Sequence, residues 1–365
     1  MNQTHKTPLV RIARRESIPM WQSWLIRLAG LALALLVSAI VIYAIVRLNP
    51  LKVYEAMFNG NFGTEKRTWV TLRDMMMLLC IGVGLAPAFK MRFWNIGAEG
   101  QILVGGIATA AVMIYFGRSI PTWSLLLISL AVSCAAGALW GAIPAVFKAR
   151  YGTNETLFTL MMNYVAIQLT SYFVAIWENP FGSNTVGIIN QQTQAGWFPP
   201  VFGQKYLLNV IIVLMITVIM FVYLRYSKHG YEIAVVGESD KTARYIGISV
   251  QRVIIRTMMI SGAICGLAGF IAVAGASHTI STSTAGGSGF TAIIVAWLAK
   301  FNTLMMAPVA ALLIFMEKGA IQIASQYNLN DYASQMITGI ILFFILGSEF
   351  FTQYRLIFRG GKDVG

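Results

Sequence analysis

Charge is scarce in this sequence. Asp, Glu, Lys and Arg together supply 11% of its 365 residues, and only 14 of those are acidic. A soluble globular chain carries roughly a quarter charged residues, so a water-covered surface of this size is excluded. Cysteine is almost missing as well. Cys80, Cys134 and Cys265 each lie in an apolar stretch without CxxC spacing, which favours small hydrophobes in helices over a disulfide framework or a thiolate metal site. Histidine occurs three times, His229 and His278 stand apart in polar connections, and there is no HExxH run. An intramembrane metallohydrolase therefore finds no support. The Gly-rich stretch Ser277 to Phe290 lacks the GxxxxGK[ST] pattern, so a P-loop is excluded too.

What the chain does have is apolar length. Hydrophobic residues make up 57% of it, and the mean hydropathy is +0.68. A helix needs about 20 mostly apolar residues to cross a hydrocarbon core, and runs such as Leu28 to Val46 and Leu207 to Tyr223 meet that length. The fold class is all-α, a polytopic transmembrane helical bundle. Spans are expected near 25–46, 70–89, 99–116, 123–147, 156–177, 206–224, 257–275, 289–299, 302–318 and 333–351. The eighth is too short to cross unaided and reads as a half-helix or part of a broken pair, which membranes tolerate only where protein or water covers the backbone. Arg11, Arg14 and Arg15 precede a first apolar run of full span length, so the N-terminus reads as an uncleaved helix and not as a signal peptide.

The formal net charge of +13 is distributed as positive-inside topology requires. Lys90 and Arg92, Lys148 and Arg150, six basic residues between Arg225 and Arg256, Lys300, and then Arg355, Arg359 and Lys362 all fall on one predicted side. Both termini are expected to be cytoplasmic. The connection 47–69, with Arg47, Lys52, Lys66 and Arg67, is the exception on the opposite side. No basic face carries interleaved aromatics, which argues against a nucleic-acid partner. The chain thus divides into a cytoplasmic segment 1–24, a membrane domain 25–351 and a tail 352–365. Two connections stand out by length: 178–205, Pro-rich and outer, and 225–256, inner, with a short amphipathic helix expected around Ser239 to Tyr245. Long connections in compact proteins are usually functional or disordered, and an inner one with its own helix suits the docking of a partner.

Three polar clusters interrupt the apolar runs. In Trp94-Asn-Ile-Gly-Ala-Glu-Gly-Gln101, Asn95 is placed to cap a helix and Glu99 to favour its first turn, while an intramembrane carboxylate is also a functional candidate. Depth decides between these readings, and sequence does not fix depth. In Gly152-Thr-Asn-Glu155, Thr153 or Asn154 can cap the next span and Glu155 suits its N-terminal turn. Asn163 lies deeper, as helix–helix hydrogen bonding or as pathway lining. Ser277 to Phe290 is either a flexible outer loop or backbone lining a pathway. Glycines at 105, 106, 137, 141, 262, 266 and 269, including the GxxxG spacing Gly137 to Gly141, imply close helix packing.

The first cluster, together with Gly152-Thr-Asn-Glu155 running into Thr159-Leu-Met-Met-Asn-Tyr164, resembles the bacterial ABC importer permeases of the branched-chain amino acid, ribose and nucleoside class. Val236-Gly-Glu-Ser followed by Ala243-Arg-Tyr-Ile-Gly247 is similar to the cytoplasmic coupling region of that class. The form Asn-Ile-Gly-Ala-Glu-Gly-Gln is nearest the nucleoside and simple-sugar branch. Thr156 departs from the branched apolar residue often found there. The resemblance implies a permease subunit without its own catalysis or bound cofactor. ATP and Mg would be used by a separate cytoplasmic ATPase, an extracytoplasmic binding protein would deliver solute, and a second permease subunit of different sequence would complete the passage. It further implies Asn95, Gly97, Glu99, Gln101, Asn154, Glu155 and Asn163 as pathway or signature residues, and Glu238, Lys241, Arg244 and Gly247 as ATPase-coupling residues. The competing class is an ion-coupled secondary transporter, for which Glu99 and Glu155 are the available carboxylates.

Overall fold

The computed structural model describes residues 10–14, 19–330, 354–358 and eleven positions between 332 and 351. The expected spans begin to register at once. Seven helices among the described residues are long and apolar enough to cross a membrane, and the protein is a multi-pass helical membrane protein. Nine of the nineteen positions of the expected tenth span, 333–351, lie outside the described residues.

The chain forms two compact units. The first comprises residues up to Arg67 and from Phe315 onward. In it, helix α1 (Met20–Val41) runs into π-helical turns at Ile42–Val46 and ends at Arg47 in the left-handed region. The connection 47–69 is not a loop. It holds α2 (Pro50–Phe62), started by Asn49, whose side chain accepts from Leu51 N, with Pro50 at the first helical position. Asn-Pro ahead of a periodic segment is a helix-start signal that the basic charge of this connection obscured. Tyr54 on α2 donates its hydroxyl to Leu35 O on α1 at 2.6 Å, and Asn61 donates to Met57 O and Phe315 O. The two chain ends pair as a short antiparallel ribbon, β1 (Val10–Arg14) with β2 (Tyr354–Phe358), in the register Val10 to Phe358.

The second unit, residues 68–314, contains the site. Helix α3 (Glu65–Lys90) starts five residues before the expected span and carries Arg73 and Asp74 as an ion pair at 2.7 Å. After the break at 91–97 come α4 (Ala98–Phe116), α5 (Thr122–Tyr151), α6 (Glu155–Ile176) and α7 (Leu207–Tyr226). The inner connection is mostly helical, not a loop with one helix. It comprises α8 (Lys228–Glu238) and α9 (Asp240–Tyr245), and α10 (Val250–Ala272, then π-helical to Ser277) begins seven residues earlier than expected. Helix α11 (Ser288–Leu298) is the short span, and α12 (Thr303–Tyr327) follows.

Packing explains which helix is central. Of the most apolar stretch of α10, 83% is buried, against 28% for α5 and α6, so α10 is enclosed by protein while the others leave faces for lipid or a partner. Small residues make the enclosure possible. A Cβ on Gly137 of α5 would stand 2.2 Å from the carbonyl oxygen of Gly262 on α10, and one on Gly141 would stand 2.7 Å from Met258 O. Ser133, one turn before Gly137, donates to Gly266 O at 2.6 Å. Because lipid offers no hydrophobic drive between helices, this close backbone contact and its hydrogen bond are what hold the pair.

Candidate functional site

The α3–α4 break brings most of the first two sequence clusters into one buried assembly. Asn95 is fully buried. It does not cap α4, which starts at Ala98. Instead its Oδ1 accepts from Gly97 N at 3.0 Å, closing a turn one step earlier. Its Nδ2 donates to Ser261 Oγ on α10 at 3.2 Å and to Gln101 Oε1 at 3.4 Å. Asn163, from the middle of α6, donates to Ile96 O at 2.8 Å and accepts from Gly100 N at 2.8 Å. It therefore satisfies two backbone groups that the broken helix leaves unpaired. Thr159, one turn before it, accepts from Ile96 N at 3.2 Å. The amide ends of Asn163 are thus spent on the α3–α4 connection.

Glu99 has a role that sequence did not anticipate. It sits in the first turn of α4 as expected and is 7% exposed. Its carboxylate reaches across to another helix: Oε1 accepts from Gly287 N at 2.7 Å and Oε2 from Gly289 N at 2.9 Å. One carboxylate therefore neutralises the N-terminal end of α11 while lying at that of α4, where negative charge is favoured twice. A Cβ on Gly289 would stand 2.7 Å from Glu99 N, so the approach requires glycine there. The segment Ser277 to Phe290 is the strand of backbone that supplies these donors.

The same connection grips the far end of α11. Trp94 lies against Trp297 with ring centroids 5.3 Å apart, and Phe89 stacks on Phe301 at 6.1 Å and 11°. Residues 89–99 and α11 are therefore joined at both ends, by ring packing at one and a carboxylate at the other.

The remaining sequence candidates form a second group. Asn154 caps α6, accepting from Thr156 N at 3.0 Å and Leu157 N at 3.2 Å. Thr153, the alternative cap, has a buried hydroxyl without a hydrogen-bond partner among the described residues. Glu155 pairs with Lys148 at 2.7 Å, bridging the end of α5 to the start of α6 across Gly152. Glu155 and Glu238 line a cavity of about 270 Å³ together with Arg92, Lys148, Gly237 and Asp240. Helix α9 is capped by Ser239, which accepts from Thr242 N at 3.3 Å. Lys241, Arg244 and Gly247 are exposed on it or just past it, Tyr245 is 92% exposed, and Ala243 alone is fully buried. The helix is a projecting arm anchored by one small side chain.

Sequence reasoning missed Ser261, Lys148 and Gly237. Ser261 belongs to a small-residue run whose glycines carry the local signal. In the sequence Lys148 reads as topology charge. Gly237 looks ordinary until its surroundings appear: a Cβ there would stand 2.2 Å from Lys90 O, so α8 lies directly on the backbone at the end of α3.

At the opposite end of α7, segment 178–205 is folded without helix. Trp197 stacks on His278 at 3.8 Å and 7°, and its indole N–H donates to Ile189 O. Phe198 N donates to Ala274 O and Ile189 N to His278 O, fastening the segment to the π-helical end of α10. His278 is 5% exposed, and neither ring nitrogen has a hydrogen-bond partner among the described residues. Burial first, then the positive charge of Lys205, pushes its imidazole down to about 4.

Comparison with known proteins agrees with this arrangement. Residues 69–346 match the family described as branched-chain amino acid transport system / permease component. The chain is 32% identical over 315 residues to a guanosine ABC transporter permease protein of Bacillus subtilis, covering 85% of this chain and 88% of that one. It is 27% identical over 360 residues to a glucose ABC transporter permease protein of Haloferax volcanii (94% and 92% covered), and 26% identical over 330 residues to a nucleoside ABC transporter permease protein of Lactococcus lactis (88% and 90%).

Proposed function

The chain belongs to the branched-chain amino acid transport system / permease component family and is a membrane-spanning permease subunit of an ATP-binding-cassette importer, and from that footing we propose that its solute is a nucleoside. The guanosine and nucleoside permeases among its relatives support this substrate class; a simple sugar is the second reading, favoured by the glucose permease. The observation that carries the working arrangement is the α8–α9 arm. It projects Lys241, Arg244 and Tyr245 from an anchor at Ala243, a shape suited to a groove on a separate cytoplasmic ATPase. That partner would bind and hydrolyse ATP with Mg, and this chain would hold neither. Glu238, Lys241, Arg244 and Gly247 form the coupling surface. Asn95, Gly97, Glu99, Gln101, Asn154, Glu155 and Asn163 build the framework beside the solute passage.

In this reading both termini and the α8–α9 arm face the cytoplasm of a bacterial cell, and 178–205 faces outward, where an extracytoplasmic binding protein delivers solute. The exposed faces of α5, α6 and α7 are available to lipid and to a second permease subunit. Such a subunit completes the passage, and a different chain is expected there.

The test is reconstitution in vesicles with the cognate ATPase, second permease and binding protein. ATP-dependent uptake of guanosine in preference to glucose is the expected result. Equal or greater uptake of glucose would move the substrate class to sugars. Uptake by this chain alone, driven by an ion gradient without ATP, would overturn the importer arrangement in favour of a secondary transporter.

A further inference from the structure

The α8–α9 arm and α11 are both fastened to the same short stretch of chain. On one side Gly237 of α8 lies against the backbone at Lys90 and Met91, so closely that a Cβ would stand 2.2 Å from Lys90 O and 3.3 Å from Met91 Cα. Lys90 adds a hydrogen bond from Nζ to Leu224 O at the end of α7, and Gly230 near the start of α8 approaches Leu224 O in turn. On the other side residues 89–99 hold α11 and the turn after it at both ends, through Phe89 and Trp94 on Trp297, through Phe89 on Phe301, and through Glu99 on Gly287 and Gly289.

Helix α11 has only 11 residues, about 16 Å at 1.5 Å per residue, about half the thickness of a bilayer core. A helix that short owes its placement to what grips it. Packed interfaces shift as bodies and do not deform continuously, so an arm seated backbone-to-backbone moves its seat with it.

We propose that Gly237 and Glu99 are positioning residues of the transport step: Gly237 seats the α8–α9 arm on the α3–α4 connection, and Glu99 ties that connection to α11, so that displacement of the arm is delivered to α11. The proposal rests on the permease reading given above, and it adds a route that leaves the cytoplasmic surface at Lys90 and ends on the short helix. Coupling of this kind is established by non-additive effects at both ends of the route, and spatial continuity alone does not establish it.

The experiment uses the full reconstituted complex with Gly237→Ala, Glu99→Gln and the double variant. Solute taken up per ATP hydrolysed is the readout, beside co-purification of the ATPase and the melting temperature of the complex. Glutamine keeps one acceptor oxygen but turns an NH2 toward a backbone N–H, so it loosens the clamp at nearly constant size. Each single variant is expected to lower uptake per ATP roughly tenfold while ATP hydrolysis and assembly persist. The double variant is expected to be no worse than the more severe single one. Trp297→Leu, which loosens the other end of α11, keeps the test open if Gly237→Ala fails to assemble, and it should lower the same ratio. Wild-type ratios in all assembled variants, or independent multiplicative losses in the double variant, would overturn the proposal. A wild-type complex that shows no ATP-dependent uptake would instead refute the permease arrangement, so the two failures are distinguishable.

Discussion

Replacing Gly137 by alanine is the sharpest test of how the bundle is held. The added Cβ would stand 2.2 Å from Gly262 O and 2.9 Å from Gly266 Cα and N, all backbone atoms of α10. A carbon–oxygen contact of this kind settles at about 3.3 Å or more, so the helices must part locally by about 1 Å. No side chain can rotate away to absorb it. Overfilling a packed interface costs about 1–3 kcal/mol. The parting also stretches the Ser133 to Gly266 hydrogen bond, 2.6 Å long and one turn away, which is worth about 1 kcal/mol. The expected loss is therefore about 2–4 kcal/mol, a drop in melting temperature of roughly 3–5 °C for a chain of this length.

Thermal unfolding in detergent can be followed with a thiol-reactive fluorophore in a Cys134→Ser background, because Cys134 is half-buried whereas Cys80 and Cys265 are buried and become reactive only when the bundle opens. Leu139→Ala serves as the comparison. That residue is on the same helix two positions on, is 65% exposed and faces away from α10, so its truncation should shift the midpoint by no more than about 1–2 °C. A Gly137→Ala protein that melts with wild type, or no lower than Leu139→Ala, would refute the argument that close backbone packing holds α5 on α10.

Three further outcomes are expected. Asn163→Leu removes the partners of Ile96 O and Gly100 N together and should cost about 2–4 kcal/mol by the same thermal assay, with a neutral result refuting its place in the break. His278 gives a pH dependence: its imidazole is held down to about 4 when folded against about 6.5 in an unfolded chain. Its contribution to stability is therefore full above about pH 6.5 and is lost as pH falls toward 4, and His278→Phe, which keeps the stack on Trp197, should flatten the melting-temperature slope in that window relative to wild type. Lys148→Met breaks a partly exposed pair with Glu155 and should change stability by less than about 1 kcal/mol, so a large loss would show that the pair does more than link α5 to α6.

Membrane character, span positions and the short eighth helix follow from composition and run length, because lipid demands continuous apolar helices whatever their neighbours. The Ser239 cap and amphipathic pattern likewise placed α9 where it is found. Helix α2 and most of α8 went unread because basic or mixed connections give no apolar period of span length, and their helices rest on caps and tertiary contacts. Asn95 shows a finer limit. Its residue type announced a turn, but whether that turn is a helix cap or the bend before it depends on where α4 can begin against α10 and α6.

Glu99 marks the division. Sequence alone determined that a carboxylate opens α4, since Gly-Ala-Glu at the head of an apolar run fixes a first-turn acid near a helix dipole. Only the tertiary structure decided that this carboxylate is spent on Gly287 and Gly289. Those residues lie nearly two hundred positions away in sequence, and no local pattern encodes a contact made through folding. The sequence determined a membrane protein with a polar break. The packing of α6, α10 and α11 around that break decided what its polar groups hold.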